Sequence, residues 1–295
     1  MKHYPAKILL FGEHILMQGA SALATTLPRF AGCWAFAEYD DRNGKQLRLN
    51  EWSDHLSAIP ELDIEAFRED LARGLFFQAN IPTGYGLGSS GALCAAVYDR
   101  YARQKISQAF PDRFSELRQV LAAMECFFHG SSSGIDPLIC YLDHPLLLLP
   151  DGSLDLIDLP PLSGLTLFLL DSAIPRQTGP LVHYFKQRCE DPVFRDLMIQ
   201  QLLLPSDQAI HAWMNKQADT FVAAFTTISH FQCSHLAEMV PPSVLEIWQR
   251  GIQHQQYYMK LCGAGGGGVF LGLTHDYEYV RLALDKAGFT TFVVS

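Results

Sequence analysis

Two glycine-rich segments of the chain could hold phosphate groups. One is PTGYGLGSSGA over residues 82–92, and the other is KLCGAGGGG over residues 260–268. Glycine lets backbone N–H groups approach a ligand closely, and the pattern predicts that a helix begins at Ser89 or Ser90. The free N–H groups and the positive dipole of a helix N-terminus bind anions. The first segment therefore indicates a phosphate-binding loop, although a capped helix start after a tight turn has the same composition.

Three charged residues could do chemistry beside such a loop. Lys7 opens the apolar run KILLF, which the triplet GEH follows at residues 12–14. Glu125 lies among apolar residues of a predicted helix, where a buried carboxylate is costly unless it has a partner such as a cation. Asp136 comes directly after the short segment SGI. In isolation Lys7 would be a surface residue of a strand and Asp136 a turn residue; a catalytic ammonium and carboxylate are the alternative.

Two short patterns suggest other classes of enzyme. Residues 86–91 match the G-x-G-x-x-G pattern of dinucleotide-binding folds, which must follow a strand and open a βαβ unit; here residues 62–79 are predicted to be helical. Residues 130–134 match G-x-S-x-G with Ser132 at the centre, which requires a strand before it and a helix after it; here we predict a helix before it and a strand after it. We therefore expect neither a Rossmann domain nor a serine hydrolase.

The charge and composition of the chain limit its partners. With 31 acidic and 22 basic residues in 295, the formal net charge is −9. Nucleic-acid binding needs clustered Lys and Arg, so no nucleic-acid partner is expected. No apolar stretch approaches the ~20 residues that span a bilayer, so no membrane partner is expected either. A glycine loop and one or two lysines would still suffice for a phosphorylated small molecule.

Cysteine usage predicts the compartment. The seven cysteines form no CxxC pair, and the N-terminal residues lack the long apolar core of a signal peptide. Free thiols in a reducing compartment are the simplest interpretation. We therefore expect a cytoplasmic protein.

The hydrophobic pattern predicts a mixed helix and strand chain. Strands are predicted at 6–11, 14–19, 32–39, 138–142, 145–149, 165–170 and 290–294, with one more after the second glycine segment. Helices are predicted at 62–79, 89–103, 114–129, 178–190, 206–230, 243–258 and 275–288. The Pro-, Gly- and Asp-rich stretch 150–164 is the best boundary, which predicts an N-terminal lobe over 1–158 and a C-terminal lobe over 159–295.

Three segments together closely resemble the motifs of the GHMP small-molecule kinases, the family of galactokinase and of homoserine, mevalonate and phosphomevalonate kinases. They are KILLFGEH at 7–14 and the two glycine segments, in the family's order and spanning most of the chain. Residues 125–136, with E-x-x-x-H-G and S-G-I-D, and P-R-x-T at 175–178 are similar to mevalonate kinases in particular. The resemblance implies an α+β, two-lobed GHMP kinase fold, with a ribosomal-protein-S5-domain-2-like N-terminal lobe and a ferredoxin-like C-terminal lobe.

The resemblance also implies roles for individual residues. Asp136 would be the base for the substrate hydroxyl, and Lys7 would favour the ionised form of Asp136 and neutralise charge on the transferring phosphoryl. Ser90 and Glu125 would hold Mg²⁺, which suits one or two protein oxygens together with phosphate and water. The phosphates of ATP would be bound by Gly86, Leu87, Gly88, Ser89, Ser90 and Gly91, and the substrate by Glu13, His14, Arg176 and Thr178.

The activity implied by the resemblance is ATP-dependent phosphorylation of the 5-hydroxyl of mevalonate in isoprenoid precursor synthesis, by a cytoplasmic enzyme that could form a homodimer. One alternative is another GHMP kinase, acting on phosphomevalonate, a sugar or a hydroxy acid. A phosphorylated substrate would need further basic residues, for which Arg176, Lys186 and Arg188 are the obvious suppliers. The other alternative is a catalytically silent GHMP-fold protein that binds a metabolite.

Three residues depart from the usual pattern of the family. Gly91 replaces an Ala in the first glycine segment, Pro137 replaces an Asn after Asp136, and Cys262 replaces a Thr before the second glycine segment. None of the three removes a catalytic group. Pro137 and Cys262 bear on the fit of the substrate.

Overall fold

The structure, a computed structural model, describes residues 2–37, 45–175 and 178–294, with the side chains of residues 17, 45–47 and 178 outside the described set. Of the predicted substrate-binding residues, Arg176 lies outside the described residues. Thr178 is described only as the first residue of a helix.

Strands and helices are mixed along the chain, as expected for an α+β fold. The strands are β1 (Tyr4–Phe11), β2 (Ala22–Phe36), β3 (Leu75–Ala79), β4 (Leu146–Leu148), β5 (Leu154–Leu156), β6 (Thr166–Asp171), β7 (Tyr258–Leu261), β8 (Val269–Thr274) and β9 (Thr290–Val293). The helices are α1 (Lys45–Leu56), α2 (Ile64–Ala72), α3 (Ser89–Tyr101), α4 (Phe114–His129), α5 (Ile135–Leu142), α6 (Thr178–Arg188), α7 (Pro192–Met198), α8 (Leu204–Met214), α9 (Ala218–His235), α10 (Pro242–Gln253) and α11 (Tyr277–Lys286). A π-helical segment, Ile199–Leu203, joins α7 to α8.

The first sheet is organised around the long strand β2. Its order is β1-β2-β4-β5, and β3 also pairs with β2. Both β3 and β4 run antiparallel to β2, with Phe76 opposite Ala35 and Leu147 opposite Leu23. Nearly every residue of β1 is buried, because its apolar run is covered on both faces. Lys7 is therefore buried together with its apolar neighbours in the strand.

The second sheet has the order β7-β8-β6-β9, and its neighbouring strands pair antiparallel. All six residues of β8 are buried, as its continuous apolar sequence predicts. Gly272 of β8 lies opposite Phe168 of β6, and a Cβ at position 272 would collide with the phenyl ring. The glycine in this apolar strand is thus explained by packing.

Residue contacts divide the chain into two units. One comprises residues 1–8, 25–82 and 87–145, and the other comprises residues 9–24, 83–86 and 146–295. Each unit is built from more than one stretch of sequence. The simple boundary between residues 158 and 159 stays a prediction, since short segments of the N-terminal half are grouped with the second unit.

Several predicted elements are wrong. Residues 75–79 of the predicted helix 62–79 form strand β3, and the predicted strand 138–142 lies in helix α5. The predicted strand 14–19 instead contains a short 3-10 helix at residues 16–18. The predicted helix 206–230 is the two helices α8 and α9, separated at residues 215–217. Strands β1, β4, β6 and β9 and helices α3, α4 and α11 lie where the hydrophobic pattern predicts them, within a few residues.

The observed elements exclude a Rossmann domain and a serine hydrolase for different reasons from the predicted ones. A strand, β3, does precede the G-x-G-x-x-G pattern, but it pairs antiparallel with β2 and so does not open a parallel βαβ unit. A helix, α5, does follow G-x-S-x-G, but the helix α4 precedes it where a nucleophile elbow needs a strand. Within the described residues no helix combines the length and the apolar character needed to cross a bilayer.

Candidate active site

The phosphate loop and Lys7 fit against each other within the first unit. Gly88 precedes the first turn of α3 with φ 72°, a left-handed conformation that favours glycine. A Cβ on Gly88 would lie 2.8 Å from Cγ of Lys7, and the backbone N–H of Lys7 donates to the carbonyl of Leu87 at 2.9 Å. The glycine therefore serves both the turn and the close approach of the lysine.

Lys7 forms an ion pair with Asp136. The distance between Nζ and Oδ2 is 2.8 Å, and the side chain of Lys7 is 10% exposed whereas that of Asp136 is 41% exposed. The side chain of Lys7 is thus buried, while the carboxylate of Asp136 remains accessible to a small molecule. A buried ammonium facing an accessible carboxylate is suited to a reaction in which a proton is taken from a substrate and negative charge is stabilised.

Asp136 is positioned by the first turn of α5. Gly134 precedes that helix with φ 73°, and a Cβ there would collide with the carbonyl oxygen of Arg118. Pro137 lies in the same first turn, where backbone N–H groups have no acceptor within the helix. A proline, which has no N–H, therefore loses no helical hydrogen bond there. The unusual proline is therefore compatible with the helix that carries the predicted base.

Gly91 and Pro137, two of the departures from the family pattern, are neighbours in space. A Cβ on Gly91 would lie 3.0 Å from the carbonyl carbon of Asp136 and 3.0 Å from the nitrogen of Pro137. These are backbone atoms, which yield less easily than the end of a side chain. The absence of a Cβ at position 91 lets α3 pack closely on the turn that carries Asp136.

Glu125 and Ser90 bring a carboxylate and a hydroxyl together. Oγ of Ser90 donates to Oε1 of Glu125 at 2.9 Å, across the contact between α3 and α4. Burial raises the pKa of the Glu125 carboxyl and the charge of Asp136 raises it further, against the opposing effect of its hydrogen bonds. A cation beside Glu125 would relieve both effects. The two oxygen donors therefore fit Mg²⁺, which takes few protein oxygens and completes its shell with phosphate and water.

His129 also belongs to this group of side chains, and it is not among the predicted site residues. Its Nε2 lies 3.0 Å from Oγ of Ser90. The signal was available, because His129 is four residues after Glu125 on α4 and side chains with that spacing share a helix face. The first unit thus assembles Lys7, Ser90, Glu125, His129 and Asp136 around the start of α3.

Glu13 lies in the second unit, in an enclosed position. Its Oε1 is 2.5 Å from Nζ of Lys260 and accepts a hydrogen bond from Nε2 of Gln232 at 3.1 Å. Both charged side chains are almost fully buried, at 1% and 0% exposure. Sequence reasoning missed Lys260 and Gln232, since nothing local links them to Glu13. A direct contact between Glu13 and a substrate stays a prediction; the described contacts fix the loop that follows β1.

His14, the next residue, has a left-handed backbone with φ 67°. Its imidazole stacks on the ring of Phe185 in α6, with the centroids 4.6 Å apart and the planes inclined by 27°. The strained backbone and the stacked ring give His14 one defined orientation. Its predicted contact with the substrate is untested by these contacts and stays a prediction.

The second glycine segment approaches Tyr85 of the first glycine segment within the second unit. The N–H of Gly268 donates to the carbonyl of Ile174 at 2.7 Å, and Oγ of Ser172 donates to the carbonyl of Gly268 at 2.8 Å. A Cβ on Gly268 would lie 2.7 Å from the carbonyl oxygen of Tyr85. Gly268 thus allows a backbone approach between the segments around residues 85, 174 and 268.

Comparison with known proteins shows which proteins the chain resembles. Residues 57–144 match the family described as GHMP kinases N terminal domain. A mevalonate kinase of Thermococcus gammatolerans is 28% identical over 162 residues, covering 46% of this chain and 47% of the relative. A mevalonate kinase of Aeropyrum pernix is 24% identical over 294 residues, covering 94% of this chain and 89% of the relative. The chain thus aligns with about half of the first relative and with most of the second.

Solved structures share the whole fold. The mevalonate kinase of Methanococcus jannaschii has a TM-score of 0.65 at 16% identity, covering 99% of this chain and 96% of that one. The phosphomevalonate kinase of Streptococcus pneumoniae, in complex with phosphomevalonate and AMPPNP, has a TM-score of 0.66 at 14% identity, covering 99% of each chain. The galactokinase of Lactococcus lactis, complexed with galactose, has a TM-score of 0.70 at 15% identity, covering 99% and 92%.

These matches establish that the fold is the α+β fold of the GHMP kinases. Through the match over residues 57–144 and the sequence relatives, the chain is similar to GHMP kinases, and to mevalonate kinases in particular.

Proposed function

We propose that the chain is an ATP-dependent kinase that phosphorylates the 5-hydroxyl of mevalonate in isoprenoid precursor synthesis. The observation that carries the proposal is the 2.8 Å ion pair between the buried Lys7 and the accessible Asp136, beside a phosphate loop at the start of α3. A catalytically silent member of the family would not need to hold an ammonium and a carboxylate together in this way. The pair therefore supports an enzyme.

Asp136 acts as the base in the proposed reaction. It takes the proton of the substrate hydroxyl as the hydroxyl oxygen forms a bond to the γ-phosphorus of ATP, and the bond from that phosphorus to the β,γ-bridging oxygen breaks to release ADP. Lys7 orients the carboxylate through the ion pair and stabilises negative charge on the transferring group. The N–H groups at the start of α3 bind phosphate oxygens.

Ser90 and Glu125 would hold Mg²⁺ in this proposal. When bound, the ion neutralises charge on the phosphates of ATP. The hydrogen bond between the Ser90 hydroxyl and Glu125 holds the two oxygen donors side by side before any ligand binds. Gly88 and Gly91 let α3 approach Lys7 and the turn of Asp136, so these donors and the base are anchored to one another.

The choice of mevalonate rests on the relatives named above and on the basic residues. A phosphorylated substrate would need additional cationic groups, and Arg188 was one candidate. Its guanidinium lies 4.3 Å from the centroid of the Phe194 ring, and Nη1 donates to the Tyr184 hydroxyl at 3.0 Å. An arginine engaged in this way is a weaker candidate for binding a substrate phosphate.

A panel of substrates tests the proposal. Purified protein with ATP and Mg²⁺ should release ADP with mevalonate, at a kcat/KM at least about tenfold above that with phosphomevalonate, galactose or homoserine, a ratio equivalent to ~1.4 kcal/mol of transition-state binding. Coupled measurement of ADP release reports all four substrates in one format. Higher kcat/KM with another alcohol would replace mevalonate as the substrate. No release with any of the four would favour a metabolite-binding protein.

A further inference from the structure

Ser132 lies in the loop that connects α4 to α5, at the centre of a G-x-S-x-G pattern that does not mark a hydrolase here. Three serines follow one another in this loop, at positions 131–133. Their side chains differ in surroundings, because Ser132 is half-buried whereas Ser131 and Ser133 are exposed. The middle serine therefore faces the protein.

The hydroxyl of Ser132 has two defined partners. Oγ donates to Oε2 of Glu125 at 2.5 Å, and the same oxygen accepts a hydrogen bond from the backbone N–H of Gly134 at 2.9 Å. A serine hydroxyl has one hydrogen to donate, so these contacts fix the direction in which it points. The hydrogen bond to an ionised carboxylate is of the stronger, charge-assisted kind.

Ser132 completes the support of the carboxylate. Ser90 donates to Oε1 of Glu125 and Ser132 donates to Oε2, so each oxygen has a hydroxyl partner on a different element. With both oxygens held, the carboxylate plane cannot rotate about the bond to Cδ without losing one of the bonds. Lone pairs of the carboxylate remain for a cation, because its two oxygens offer about four acceptor sites.

We propose that Ser132 is a positioning residue for the metal-binding carboxylate of Glu125, and that it couples this carboxylate to the helix that carries Asp136. The coupling runs through Gly134, which immediately precedes α5, lies two residues before Asp136 and has no room for a Cβ. The inference rests on the proposed function, since it assigns Glu125 to Mg²⁺. Mutation of a residue that orients a metal ligand typically lowers metal affinity or activity by about 10–100-fold.

Nucleotide binding measures this role without turnover. Calorimetric titration of the intact protein with AMPPNP, once with excess Mg²⁺ and once with EDTA, gives the factor by which Mg²⁺ strengthens nucleotide binding. We expect Ser132→Ala to reduce that factor about tenfold or more, with the affinity in EDTA unchanged. Ser131→Ala is the matched control, because Ser131 is the exposed neighbour and makes no side-chain hydrogen bond within the described residues.

A second pair of variants separates position from folding. Ser132→Thr keeps the hydroxyl and Ser132→Val has nearly the same shape without it, so Thr should retain the Mg²⁺ factor and Val should lose it. An equal Mg²⁺ factor in Ser132→Thr and Ser132→Val, or an unchanged Mg²⁺ factor in Ser132→Ala, would overturn the proposal. So would a wild-type protein whose nucleotide affinity does not depend on Mg²⁺. A wild-type protein that shows the Mg²⁺ factor but does not phosphorylate mevalonate would instead refute the proposed substrate and leave Ser132 in its role.

Discussion

Replacing Asp136 with asparagine is expected to lower kcat by about 10²–10⁴-fold, the range that a positioned general base contributes. Asparagine has nearly the same shape and can still contact Nζ of Lys7, but its amide cannot take the proton of the substrate hydroxyl. Asp136 is 41% exposed, and in the proposed mechanism it acts through a carboxylate oxygen and not through packing. The affinity for AMPPNP should therefore change little, which titration calorimetry would measure beside the steady-state rate.

The matched control for this substitution is Asp143→Asn. Asp143 is exposed at the other end of the same helix, with φ 47°, a conformation that asparagine also tolerates. The kcat of the Asp143→Asn variant should equal that of the wild type. If Asp136→Asn kept more than about a tenth of the wild-type kcat, which corresponds to less than ~1.4 kcal/mol of transition-state stabilisation, Asp136 would not be the base.

Lys260→Met is expected to destabilise the protein by about 3–5 kcal/mol, the cost of leaving a buried charge without its partner. Lys260 is completely buried between Oε1 of Glu13, at 2.5 Å, and the carbonyl of Leu261, at 2.7 Å. Oε2 of Glu13 is also buried and has no hydrogen-bond partner among the described residues. Removal of the ammonium would leave the carboxylate its hydrogen bonds from Gln232 and the backbone, without the positive charge beside it. Urea unfolding measures the loss.

The destabilisation by Lys260→Met should depend on pH. Burial raises the pKa of Glu13 above its ordinary value of 4.5, and Lys260 opposes that rise. In the variant this opposition is absent, so the folded state takes up a proton more readily than the unfolded state and stability falls as the pH rises above 4.5. The loss relative to the wild type should be larger at neutral pH than in mild acid.

Two further variants make the Lys260 test specific. Lys286→Met removes an exposed lysine at the end of α11 and should cost less than about 1 kcal/mol. The double variant Glu13→Gln with Lys260→Met should recover part of the stability, because no charge is then buried. A loss below about 1 kcal/mol in Lys260→Met, or no recovery in the double variant, would contradict the account of the pair.

The grouping of side chains in the first unit could largely be predicted from sequence, because these residues lie in short local patterns. Lys7 lies within an apolar strand, Ser90 follows a glycine loop at a helix start, and Glu125 and Asp136 flank one loop. In each case the local element determines where the side chain can point. The same logic would have included His129, one helical turn after Glu125.

The Glu13–Lys260 pair could not be predicted in this way. Its members lie near opposite ends of the chain, and the contact exists only because strand β7 carries Lys260 to the loop after β1 within the second unit. Neither residue has a local sequence signal that requires a buried partner. Ser132 is similar, since nothing in its G-x-S-x-G pattern indicates the hydrogen bond to Glu125.

The errors in secondary structure have local causes. Residues 75–79 continue the apolar spacing of α2, but Gly74, with φ 93°, ends the helix and lets the chain enter β3. Residues 138–142 are apolar almost throughout, and such a short run does not distinguish a buried strand from a buried helix. The glycine after Arg73 was a usable signal for the first error; the second needed tertiary contacts.

Phosphorus NMR of the reaction mixture tests the central claim most directly. With ATP, Mg²⁺ and mevalonate, the proposed chemistry predicts that the γ-phosphate signal of ATP is replaced by the signals of ADP and of one phosphate monoester coupled to the CH₂ protons of carbon 5. Inorganic phosphate in place of the monoester, a monoester on another carbon, or an unchanged ATP spectrum would contradict a kinase acting on the 5-hydroxyl of mevalonate.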